Sequence, residues 1–121
     1  MGSKHNDITY VIKTFYEVIH HRKPDSAEYK AEYKALEVLM YPKEDWLRGY
    51  TAEEVINTVN WLVKSGVVVR TLKILYFEHV LSSFVDNDYM MQEYIIKKLK
   101  FLQAKDGIAD MDYNINKPDG W

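Results

Sequence analysis

Apolar residues return at the i, i+3, i+4, i+7 spacing of an α-helix in separate stretches of this chain, and start and stop residues bracket those stretches. The clearest runs from Thr51 to Ser65. Thr51-Ala52-Glu53-Glu54 is a Thr-x-x-Glu capping box, in which hydroxyl and carboxylate each satisfy a backbone N–H that the helix start leaves unpaired. Ala52, Val55, Ile56, Val59, Leu62 and Val63 then form one stripe, and Ser65-Gly66 supplies the glycine that suits a left-handed stop.

Three further helices read in the same way. Ile8, Val11, Ile12, Phe15, Val18 and Ile19 predict a helix over about Asp7–His21, with Asn6 or Asp7 as cap. It ends in the cations His20, His21, Arg22 and Lys23, which suit a helix C-terminus, and Pro24 bars continuation. Asp25 and Glu28 form a capping arrangement for a second helix reaching about Met40, with Tyr29, Tyr33, Leu36 and Met40 on one face and Tyr41-Pro42 as its stop. Lys43–Gly49 reads as a connector or a single turn carrying Trp46. Asp86-Asn87-Asp88 is a turn able to cap a last helix over about Tyr89–Lys105, which would bury Met91, Tyr94, Ile95, Leu99 and Leu102.

Val67–Phe77 reads two ways, since Val67-Val68-Val69 argues strand while Leu72, Leu75, Tyr76 and His79 fit a helix. The expected fold is therefore mainly α, a compact bundle of about five helices, with a short β-hairpin near 67–77 as the variant. Residues 1–105 are expected to form a single helical domain and 106–121 an irregular C-terminal tail containing Pro118 and Gly120. A chain of 121 residues has the size of one domain with one core.

Composition narrows the function classes. A net charge of -2 provides no overall field for nucleic acid or an anionic membrane. The absence of cysteine removes disulfides, thiolate nucleophiles and Cys-ligated metals, and suits a reducing cytoplasm. No window approaches a membrane span, and Met1–His5 lacks the apolar core of an export signal. Met1-Gly2-Ser3 is also what a cloning junction leaves, so it receives no weight.

Individual motifs for chemistry fail one by one. Glu17 and His21 share a helical spacing that could hold a metal, but further ligands are missing nearby, and adjacent His20 and His21 point about 100° apart. Asp110-x-Asp112-x-Asn114 opens like a calcium loop, yet Ile115 stands where glycine is required and Trp121 where the bidentate glutamate belongs. There is no Gly-x-Ser-x-Gly, no Gly-Lys-Ser/Thr and no Gly-rich loop, and Glu53-Glu54 is explained by the helix dipole. We expect no enzyme activity, no catalytic residue, no bound metal and no small-molecule cofactor.

Two binding readings remain. In the first, Trp61-Leu62-Val63-Lys64-Ser65-Gly66 running into Val67-Val68-Val69-Arg70 resembles the recognition helix and first wing strand of winged-helix regulators. The resemblance implies a DNA-binding transcriptional regulator contacting duplex through Asn57, Thr58, Trp61, Lys64, Arg70 and Lys73. Working against it, Arg70–Tyr76 lacks the turn residues of a hairpin, and Glu53 and Glu54 would face phosphates. Lys97-Lys98-x-Lys100 is a second basic patch, but Glu93 is placed to pair with Lys97, which reads as a solvated face.

The second reading starts from the 10 tyrosines and 3 tryptophans, residue types enriched at the centres of protein interfaces. Trp46, Arg48, Tyr50, Asn57 and Trp61 gather around one helix start and predict a partner-binding surface. The expected function is a non-enzymatic small regulatory or inhibitory protein acting through protein–protein binding, with a protein partner or a second copy as its target. Small stand-alone regulators of phages and mobile elements look like this.

Overall fold

The computed structural model describes residues 3–106, and the tail expected at 106–121 lies, beyond Asp106, outside the described residues. The described residues are mainly α-helical and form five α-helices, the fold class and approximate number expected from the sequence. These are α1 (Lys4–Phe15), α2 (Ser26–Met40), α3 (Ala52–Lys64), α4 (Val80–Val85) and α5 (Tyr89–Asp106). The chain divides into two compact units, Met1–Ile56 and Asn57–Trp121, and the division falls within α3.

In the first unit α1 packs on α2. The cap of α1 is Ser3, whose hydroxyl accepts from Asn6 N–H, so the helix begins earlier than Asn6 or Asp7 would have set it. After Phe15 the helix widens into one π turn, Tyr16–His20, and stops at His21 in the left-handed region (φ 56°). α2 opens with the expected box, Asp25 accepting from Glu28 N–H while Glu28 accepts from Asp25 N–H.

The buried face of α2 is Glu32, Ala35, Leu36, Leu39 and Met40. Tyr29 and Tyr33 are only half-buried, at the rim of the core stripe expected to contain them. Their hydroxyls are polar and find partners there: Tyr29 shares a hydrogen bond with Thr9 (2.8 Å). Deeper in, the Tyr16 hydroxyl donates to the Glu32 carboxyl at 3.0 Å, which lets an acidic side chain occupy a core position. Burial first, and the carboxyl beside it second, push the Tyr16 phenol well above its ordinary pKa.

α3 has both expected ends. Thr51 and Glu54 exchange the two hydrogen bonds of the capping box. At the other end Gly66 (φ 91°) sits at C′ of a Schellman motif, its N–H donating to Val63 C=O and that of Val67 to Leu62 C=O.

In the second unit the hairpin variant is overturned, and the described residues contain no strand. Val67–Val69 belongs to no regular element but is buried at Val67 and Val69 and open at Val68, the two-residue alternation of an extended run that β-branching favours. Its neighbour is the carboxamide of Gln103 in α5 instead of a strand. That side chain accepts from Val68 N–H (3.1 Å) and donates to Val68 C=O (2.8 Å). Thr71 then caps a short 3₁₀ turn, Leu72–Tyr76, whose Leu72, Ile74, Leu75 and Tyr76 are buried. α4 packs on that turn and on α5, and Asp88 caps α5 by accepting from Met91 N–H.

Candidate functional site

Trp46, Arg48 and Tyr50 belong to the first unit, in the connector between α2 and α3. The far end of that connector is tied back to α2. Tyr50 N–H donates to Leu39 C=O (3.0 Å), turning the chain back onto the end of α2. Gly49 makes the approach possible, since a Cβ there would lie 2.6 Å from the Met40 carbonyl oxygen. A tight turn, with Leu47 N–H donating to Glu44 C=O, carries Trp46 at its apex.

These three side chains have different fates. The Arg48 guanidinium lies over the Tyr50 ring at 4.9 Å and pairs with Glu54 at 3.4 Å, so it braces the connector against the start of α3. Tyr50 is half-buried beneath it. Trp46 is 71% exposed, a large amphipathic ring on a pinned turn.

Asn57 and Trp61 belong to the second unit. Asn57 is exposed. Trp61 stacks on Phe84 of α4, ring centroids 5.2 Å apart and planes 25° from parallel, and is half-buried as a result. Much of its ring area is therefore used within the unit, which the helical wheel of α3 alone could not reveal.

The duplex-reading set is rearranged more severely. Thr58 is 0% exposed, on the buried side with Val55, Val59 and Leu62, so it cannot contact a nucleic acid. The stripe is turned toward Thr58, which leaves Val63 open to solvent where the pattern had placed it inside. Lys64, Arg70 and Lys73 are exposed, but the wing that would carry Arg70 and Lys73 is absent, since Val67–Tyr76 is an extended run followed by a 3₁₀ turn.

The expected metal face also changes. His21 sits beyond the π turn in a left-handed conformation, so the i, i+4 geometry with Glu17 is lost. Among the described residues no group of three or more His, Asp or Glu side chains converges as a metal site would. His20 instead lies against the rings of Phe15 and Tyr16. The calcium-like residues 110–121 lie outside the described residues.

One surface went unread in the sequence. On α5, Tyr94 was assigned to the core but is 53% exposed, and Met90 and Phe101 on the same side are 86% and 63% exposed. The buried side of this helix is Ile95 and Leu99. The signal was present as a second apolar series at positions 90, 94 and 101, interleaved with the core series at 91, 95, 99 and 102.

No described helix is long and apolar enough to cross a membrane. No family model, characterised protein or solved structure matches the chain.

Proposed function

We propose that this protein is a non-enzymatic binding module, a small regulatory or inhibitory protein of the kind found in phages and mobile elements, working in the cytoplasm by docking on a protein partner through Trp46. The observation that carries this reading is the exposure of that indole on a hydrogen-bonded turn, in a connector whose far end is tied back to α2. A rigid aromatic presented in this way loses little conformational entropy on binding, which is the usual character of an interface anchor. The absence of cysteine suits the compartment.

The test is affinity capture from the native host with the full chain, followed by titration of the recovered partner. Trp46→Ala should weaken binding at least about 30-fold, the loss typical of a central aromatic. Asn57→Ala should change it little. If Trp46→Ala retains every partner at full affinity, or if the chain binds duplex DNA with a steep salt dependence, the reading fails.

A further inference from the structure

The outward side of α5 has the geometry of a helix–helix seam. Met90, Tyr94, Lys97 and Phe101 follow one another at intervals of four, three and four, and at 3.6 residues per turn they fall within about 60° of each other. The three apolar members are more than half exposed, while Ile95 and Leu99 on the opposite side are fully buried. The helix thus already has its core-facing stripe, and the second stripe stays open to solvent although Lys98 of the same helix donates to the Tyr94 hydroxyl at 3.3 Å.

Charge along this stripe is graded. Asp86, Asp88 and Glu93 lie at its start, and Lys97, Lys98, Lys100 and Lys105 in its second half. Such a gradient suits the helix dipole, but it also makes the surface complementary to itself when turned end for end. We propose that α5 pairs with α5 of a second copy of this chain, antiparallel, across a two-fold axis between residues 95 and 96.

In that register Met90 faces Phe101 of the second copy, a favourable sulfur–aromatic contact, and Tyr94 faces Lys97, whose stem covers the ring. Glu93 lies level with the interval between Lys97 and Lys100 of the second copy. It now pairs with Lys97 of its own helix at 3.1 Å, an exposed contact worth little, so exchange across the axis costs little. A parallel pair would set Glu93 on Glu93 and Lys100 on Lys100. One 18-residue helix on another is a small interface, of the size that makes weak complexes, and a dissociation constant on the order of 10 μM is expected.

Two experiments on the full chain decide this. Sedimentation velocity between about 1 and 300 μM, a range bracketing that constant, should show monomer passing to dimer. Phe101→Glu and Met90→Glu, both at exposed positions and checked for unchanged helix content by circular dichroism, should each raise the constant at least about 30-fold. Trp46→Ala should leave it unchanged, so this seam and the proposed docking residue succeed or fail separately. Because the chain has no cysteine, introduced thiols report pairing cleanly. A mixture of Tyr94→Cys and Lys97→Cys chains should form the mixed disulfide in preference to either symmetric one. A chain monomeric throughout, a dimer indifferent to both glutamate variants, or symmetric disulfides alone would overturn the proposal.

Discussion

Single residues set the ends of the elements. The Arg22 guanidinium grips Glu28 through two hydrogen bonds, 2.8 and 2.7 Å, and lies over the Tyr16 ring at 5.4 Å. Those bonds first, and the Asp25 backbone N–H second, hold the Glu28 carboxyl down to about 2. Its pKa is depressed on folding, so its stabilising contribution is present above the unfolded value of 4.5 and is lost as pH falls toward about 2. In urea unfolding, Glu28→Gln should therefore be less stable than the parent at pH 6, and the gap should close between pH 4.5 and 2. Gly49 is a second such position. A methyl there meets the backbone carbonyl oxygen of Met40 and the Cδ of Pro42, whose ring is tied to the main chain, and neither can swing aside. Gly49→Ala should cost about 1–3 kcal/mol, read as a lower unfolding midpoint and faster exchange of the Tyr50 amide.

At the scale of elements, what was legible depended on how far a determinant lay along the chain. Both ends of α3 were readable because Thr51 with Glu54, Gly66 with Val63, and Val67 with Leu62 act within five residues. The ambiguity at 67–77 has the opposite origin. Val67–Val69 is extended as its β-branching implies, but its partner is one carboxamide 35 residues away, a pairing no local pattern announces. Gln103→Ala should accordingly expose the Val68 amide to exchange about fivefold faster, the equivalent of about 1 kcal/mol, while amides of α1 and α2 keep their protection. Glu32 and Thr58 were missed for a related reason. Periodicity assigns polar residues to the outside, whereas Glu32 is accepted in the core because the Tyr16 hydroxyl meets it there.

For the whole molecule, the fold class and four of the five described helices followed from hydrophobic spacing, a property of the chain alone, while the six residues of α4 are too few to show a period. The candidate surface was legible only in part, because exposure depends on what the other elements cover: Trp46 remains open, Arg48 and Tyr50 brace one another, and Trp61 lies on Phe84. α5 carries a consequence of its own. A helix apolar on two sides has two ways of presenting itself to its core while the chain is still collapsing. Turned by half a revolution, it would offer Tyr94 and Phe101 in place of Ile95 and Leu99, and the competing arrangement would still bury greasy surface. What separates the two is Lys97, whose charge the wrong rotation would take out of water along with that of Glu93, together with the Gln103 clasp that only the right rotation can close on Val68. These polar side chains thus act as a rotational lock on the longest helix, and loosening them should widen the ensemble of misfolded states before it lowers the number of helical residues.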